Sequence, residues 1–258
     1  MSDAPEVKIV PAVEYIRTNF RPSDRIAVLV RSGITRGILQ RIASSDRVAS
    51  ASFQEWLERK NEKEFCDIYI GMNTLKLEAH GRTKQDIKTI RHLYIDIDHE
   101  GTTALNKIQQ SNLVPAPNYI LHTSPEKFQV VWRVEGIMQE QAEALQRTMT
   151  RKFGGDPAAT DSTRVLRLPG FINRKYESEF RVAAEKQTDR IYHLQGFRLP
   201  TEPIDTDFRS PWRTRTSASS GSRHLSQSEH DWAYAKRALA RGEDPEEIIQ
   251  RIRQYRRA

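Results

Sequence analysis

The chain has 258 residues, 37% hydrophobic and 29% charged, with a net charge of +7 and a pI near 9.5. That length supports one full-sized core plus a small appendage. No apolar run approaches a membrane span, and the single cysteine, Cys66, excludes an internal disulfide framework and a cysteine-built zinc site.

The N-terminus, Met-Ser-Asp-Ala-Pro-Glu, lacks the basic-then-apolar pattern of a secretory signal, so the expected compartment is the cytoplasm, with no membrane partner. Val13, Ile16 and Phe20 fit a short amphipathic helix within residues 7 to 20. Arg25 to Val30 reads as a buried strand. Gly33 and Gly37 follow, and without the Gly-Lys-Ser/Thr ending of a P-loop they predict a turn leading into a helix. A charged helix is predicted over Phe53 to Glu64, a strand over Phe65 to Ile70 ended by Gly71 and Asn73, and a short helix over Thr83 to Ile90.

Residues 92 to 100, His-Leu-Tyr-Ile-Asp-Ile-Asp-His-Glu, form the stretch around which the chain is organised. As a strand it puts Leu93, Ile95 and Ile97 on one face and Tyr94, Asp96 and Asp98 on the other. Asp is depleted in strands and neighbouring like charges repel, so the pattern costs stability unless a cation sits between the carboxylates. Mg²⁺ suits that place, since it takes one or two carboxylates together with substrate phosphate. On its own, Asp-x-Asp is equally the pattern of a solvated face.

Helix is predicted next for Thr102 to Leu113, stopped by Pro115 and Pro117. Strands are predicted at Asn118 to Thr123 and Phe128 to Val134 around a turn at Ser124 to Lys127. The clearest helix runs from Gln139 to Phe153 and is closed by Gly154 and Gly155. Phe180 to Ala184 is read as one more strand, and Tyr192 to Phe197 as irregular chain. This alternation gives an α/β or α+β class with one sheet.

Between them lies GGDPAATDSTRVLRLPGFINRK, residues 154 to 175, where Asp156 and Asp161 stand beside Arg164, Arg167, Asn173, Arg174 and Lys175. A phosphate-handling site needs both kinds of charge: carboxylates for the metal, and Arg or Lys for the oxygens that the metal does not reach. Ordinary ion pairs in a surface loop have the same composition.

The main domain is expected to span residues 1 to 208, followed by a Ser/Thr/Arg-rich linker at 209 to 228. A helical hairpin follows at 229 to 258, with Asp244 and Pro245 as cap and first position of its second helix and Trp232, Leu239, Ile248, Ile252 and Tyr255 as its seam. The stop just after Arg256 and Arg257 reads as a truncation. From 209 to 258 eleven Lys and Arg face six Asp and Glu, so the basic character, and with it the expectation of a polyanionic partner, lies mainly in the tail.

LYIDIDHE, LHTSPEKFQVVW and GGDPAATDSTRVLRLPGFINRK, in that order, resemble the RepB-like plasmid primases of the archaeo-eukaryotic primase superfamily over about residues 92 to 176. The resemblance implies an RRM-like catalytic core and a two-metal nucleotidyl transferase using Mg²⁺ or Mn²⁺. By position the metal would be held by Asp96, Asp98 and Asp156, with Asp161 competing for the third place. Gln129 stands where many members carry a His that contacts the incoming triphosphate. Ser124 and Lys127 are candidates for phosphate contact, and Arg167, Asn173 and Lys175 match the stretch that would grip triphosphate or template. The small helical domain is similar to one that follows the catalytic core in such primases.

The function so implied is primer synthesis on single-stranded DNA from nucleoside triphosphates, for a plasmid or other mobile element, with a replicative helicase as a further partner. One rival is a non-catalytic replication initiator that stacks bases on Tyr69, Tyr94 or Trp132. Another is a nicking relaxase, disfavoured because no two of the seven histidines are spaced His-x-His.

Overall fold

A computed structural model describes residues 10–35, 37–176, 178–199, 244, 246–247 and 249–251. It divides into two units, Met1–Asp205 and Thr206–Ala258. The first unit begins with α1 (Ala12–Asn19), β1 (Arg25–Ser32), β2 (Ile38–Ser44), α2 (Ser45–Val48) and α3 (Ala51–Glu62). Next come β3 (Cys66–Gly71), β4 (Thr74–Leu75), β5 (Ile87–Thr89), β6 (His92–Ile97) and α4 (Gly101–Gln109). It continues through β7 (Tyr119–Ser124), β8 (Lys127–Arg133), α5 (Gln139–Phe153), β9 (Val165–Arg167), β10 (Ile172–Asn173), β11 (Phe180–Arg181) and β12 (Ala183–Lys186).

The class is mixed α and β, as the alternation predicts, but the strands form two main sheets rather than one. One sheet runs β5-β4-β1-β3-β9 with β2 on the other side of β1, and the second runs β12-β7-β8-β6. A further pair, β10 and β11, stands apart. Two helices expected from the sequence are strands instead. The turn after β1 leads into β2, which pairs with β1 from Arg25↔Ser44 to Arg31↔Ile38. The segment before β6 is one 3₁₀ turn, Lys84–Asp86, followed by β5. In both places long-range pairing outweighs a weak local preference.

β6 explains the two-sheet arrangement. Leu93, Ile95 and Ile97 enter a core cluster with Ala104 and Ile108 of α4 and Leu145 and Met149 of α5. Tyr94, on the opposite face, enters a second cluster with Ile26, Val28 and Val30 of β1 and Ile68 and Ile70 of β3. The strand is therefore buried on both faces along most of its length, and of its residues only Asp96 is partly open, followed by Asp98 beyond its end.

His92 opens β6 fully buried, with Nδ1 2.5 Å from the Met72 carbonyl and Nε2 3.0 Å from the Asn19 side chain. Burial is the main cause that pushes its pKa down to about 4. Because this folded value lies below the unfolded one of about 6.5, the unfolded chain takes up a proton first as pH falls. Stability should therefore drop between about pH 6.5 and 4, by roughly 3 kcal/mol from this group. The check is the His92 ring resonance in an NMR titration. A midpoint near 6.5 in the folded protein would refute the expectation.

In the second unit Asp244 Oδ1 accepts the backbone N–H groups of Glu246 (2.7 Å) and Glu247 (3.4 Å), as its reading as a helix cap requires. The predicted linker at 209 to 228, the first hairpin helix and the seam residues lie outside the described residues. Among the described residues no helix is long and apolar enough to cross a membrane.

Candidate active site

Asp96 projects from the end of β6, and Asp98 follows two residues later on the same side. The third acid arrives by a different route. Gly154, at φ +81, ends α5 in the left-handed conformation that glycine adopts most cheaply. Gly155 then lets the chain lie against β6, for a Cβ there would come within 2.5 Å of Ile95 Cγ2 and 3.1 Å of the Asp96 carbonyl. At that approach the Asp156 N–H donates to the Asp96 carbonyl at 2.7 Å. The Asp156 carboxylate also caps the 3₁₀ turn Pro157–Ala159 by accepting the Ala158 N–H at 2.9 Å.

One carboxylate oxygen from each of Asp96, Asp98 and Asp156 lies within 4.8 Å of those from the other two. Asp161, the alternative third ligand, turns elsewhere: its carboxylate accepts the Thr163 N–H at 3.0 Å, and its carbonyl accepts the Tyr94 hydroxyl. Desolvation, then the Asp98 charge, then the Asp156 charge push Asp96 up to about 6, against an opposing hydrogen bond from Gln129.

The acids line an open cleft of about 460 Å³ whose walls come from both sheets. Ser124, Lys127, Gln129, Arg167, Asn173 and Lys175 all line it too, so the residues singled out in the sequence are brought together. Their hydrogen bonds divide them by role. Lys127 Nζ lies 3.0 Å from Asp98 Oδ1, and that bond raises the pKa of the ammonium. Gln129 faces Asp96 across the β6/β8 register. Its Nε2 donates to Asp96 Oδ1 at 3.3 Å and its Oε1 accepts the Arg167 N–H at 3.0 Å, so it links the acids to β9. Asn173 is buried and uses both amide atoms internally, donating to the Thr123 carbonyl at 2.7 Å and accepting the Lys175 N–H at 3.0 Å. It positions Lys175 rather than presenting a free group of its own.

Three neighbours, Asp67, Tyr176 and Glu143, escape the sequence reading, and a fourth, Arg164, stands there only as one cation of the charged stretch. Asp67, on β3, accepts Arg167 Nη1 at 2.5 Å and the Arg174 N–H at 2.8 Å, and both side chains of the Asp67–Arg167 pair are buried. Arg164 Nη2 stands 4.0 Å from Asp156 Oδ2. Tyr176 lines the cleft, and although burial would raise its phenol, hydrogen bonding with Lys127 and Ser124 outweighs it and lowers the pKa. Glu143, on α5, fixes the loop carrying Asp156 and Asp161 by accepting the Ser162 N–H (3.1 Å) and hydroxyl (2.8 Å), while Lys84 holds its other oxygen at 2.6 Å. Asp67, Tyr176 and Glu143 carry no local sequence signal, since their partners lie elsewhere in the chain, whereas Arg164 and Asp156 share the charged stretch of residues 154 to 175.

Of the aromatics considered for base stacking, Tyr94 and Trp132 are core residues with no exposed surface. Tyr69 is only half-buried, but the Arg167 guanidinium covers it at 4.9 Å from the ring centroid. A stacking platform made of these three is therefore corrected. The register explains it: Tyr69 is paired with Arg167, and Tyr94 points between the sheets.

Residues 36–195 match the family model described as the RepB DNA-primase N-terminal domain. A replication protein of Clostridium perfringens is 27% identical over 157 residues, which is 54% of this chain and 37% of that protein. The chain thus spans little more than a third of that relative's length. Among solved structures, the catalytic domain of primase RepB′ in complex with initiator DNA superposes with a TM-score of 0.53 at 22% identity, over 70% of this chain and 87% of that one. The AEP domain of the cyanophage S-2L primase-polymerase gives 0.53 at 14% identity, over 69% of this chain and 90% of that one. At these identities the structural likenesses establish the fold.

Proposed function

Because the chain belongs to the RepB DNA-primase N-terminal domain family, we propose that it synthesises primers on single-stranded DNA by metal-dependent nucleotidyl transfer, for replication of a plasmid or other mobile element. The observation that carries this reading is the convergence of Asp96, Asp98 and Asp156 in a cleft that also holds Lys127, Arg167 and Lys175. Three carboxylates this close repel one another, and that repulsion adds to the larger effect of burial in raising the pKa of Asp96. Such an all-oxygen cluster suits a hard divalent cation, Mg²⁺ or Mn²⁺. When bound, two such ions would supply Lewis-acid activation of a 3′-hydroxyl and charge stabilisation at the leaving pyrophosphate.

The chain's own residues do the rest. Asp96, Asp98 and Asp156 would hold the cations, and Gln129 keeps the Asp96 carboxylate in place. Lys127, Lys175 and Arg167 neutralise phosphate oxygens that the cations do not reach, and the Ser124 hydroxyl donates to one of them. The template is single-stranded DNA and the substrates are nucleoside triphosphates. A replicative helicase would expose the template.

The test supplies labelled nucleotides and a single-stranded circular template without primer, with and without Mn²⁺ or Mg²⁺. Short labelled products that need the metal are expected. Binding of the template in EDTA, combined with no incorporation from any nucleotide or metal, would instead favour the non-catalytic initiator.

A further inference from the structure

The cleft does not end at the acids. Asn173 and Tyr176 line it and also line a second groove of about 520 Å³, whose other walls include Gly33, Ile34, Phe65 and Ile172. Phe65 is unusual in two respects. It follows the end of α3 with φ +52, a left-handed conformation that costs a bulky residue about 1 kcal/mol or more and that glycine adopts freely. It also leaves 51% of its surface exposed.

The neighbouring chain enforces that conformation. The Gly33 N–H donates to the Phe65 carbonyl at 3.1 Å, and a Cβ on Gly33 would come within 3.0 Å of the same oxygen. Asn61 Nδ2 donates to the next carbonyl, that of Cys66, at 2.8 Å. The Arg174 guanidinium stands over the ring, 5.0 Å from its centroid, as Arg167 does over Tyr69, but Phe65 keeps half of its surface open where Tyr69 keeps less. Arg174 is itself fixed by donating to the Asn61 carbonyl (3.0 Å) and to Glu179 (2.8 Å). An aromatic ring is thus held rigidly half in solvent, where glycine would cost less.

We propose that this groove receives an unpaired nucleobase of the single-stranded template next to the copied position, stacked on the open part of the Phe65 ring. The choice of the template strand rests on the primase reading; the choice of a base rests on the groove itself. Among the described residues that line it the cation, Arg174, is paired with Glu179, so phosphate finds no unpaired charge on them. Phe65, Tyr176, Ile34 and Ile172 give it aromatic and aliphatic wall beside Asn173 and the Arg174–Glu179 pair, and it shares Asn173 and Tyr176 with the cleft. Stacking on an aromatic side chain tolerates every base, which suits a strand of arbitrary sequence.

The test uses the full chain in EDTA, with a fluorescent oligonucleotide carrying 2-aminopurine at successive positions. In the wild type one position should be quenched by stacking. Phe65→Gly suits the backbone and removes the ring; it should bind about tenfold more weakly, lose that quenching, keep its melting temperature, and retain the wild-type salt dependence, because no phosphate contact is lost. Phe65→Trp should bind within about twofold of the wild type, since it keeps a stacking face. Wild-type affinity in Phe65→Gly, a shallower salt dependence in that variant, or no oligonucleotide binding by the wild type would each overturn the proposal. Metal-dependent incorporation is measured separately: a wild type that binds through Phe65 yet incorporates nothing would sink the primase reading while leaving the base groove in place.

Discussion

Replacing Asp96 and Asp98 together by Asn should lower primer synthesis by at least roughly 10³-fold, the scale of losing the groups that stabilise developing charge in a reaction centre. The same change should raise the melting temperature of the metal-free protein. Asp96 has a folded pKa near 6, above its unfolded value of about 3.9, so in the folded state its charged form is disfavoured. Stability from this group is then lost as pH rises from about 4 to 6, and the loss persists at neutral pH. Relieving it is worth roughly 2 to 3 kcal/mol, or several degrees in melting temperature. Asn keeps an oxygen for Gln129, and the Lys127–Asp98 pair that is lost is partly solvated and contributes little.

Mn²⁺ adds a second readout to the same pair of proteins. It should stabilise the wild type by mass action and leave the double variant unmoved, and the wild-type shift should shrink below about pH 6 as protons compete for the carboxylates. Thermal melts with and without Mn²⁺ at pH 5 and 7.5, beside the priming assay, decide the matter. Priming at the unmodified rate, or a double variant that melts earlier than the metal-free wild type, would remove the acids from their proposed role.

What could be read from the sequence divides along a physical line. The alternation in β6 and the amphipathic run of α5 are local, and the helix that the second predicts over Gln139 to Phe153 has those bounds in the structure. Spacing alone does not distinguish Asp156 from Asp161 as the third acid. The glycine pair contains the missing information: one glycine suffices to end α5, and the second is there because β6 passes too close for a Cβ. β9 and β10 have three and two residues, too few for any period to show, and β2 follows a glycine-rich turn with an exposed, irregular pattern. Their existence is decided by partners far away in the chain. Without them the two-sheet arrangement, and the cleft between its walls, could not be seen from composition or spacing.

Asp67 is the sharpest case, standing 100 positions from Arg167 with no motif around it. Asp67→Ala should cost about 3 to 5 kcal/mol, because it strands a desolvated guanidinium and also leaves the Arg174 N–H without its acceptor. Asp67→Asn should cost less, since its oxygen can still take one of those bonds. The double change Asp67→Ala with Arg167→Met should recover part of the loss by removing the unpaired charge, which a simple loss of packing would not allow. Urea unfolding of the four proteins measures this directly. In the priming assay Asp67→Asn should raise the KM for nucleotide more than it lowers kcat, because Arg167 loses its anchor while the three acids are untouched. A cost below about 1 kcal/mol for Asp67→Ala would mean that water reaches the pair freely. The direction of Arg167 in the cleft would then be set by Tyr69 beneath it and by the Gln129 bond to its backbone.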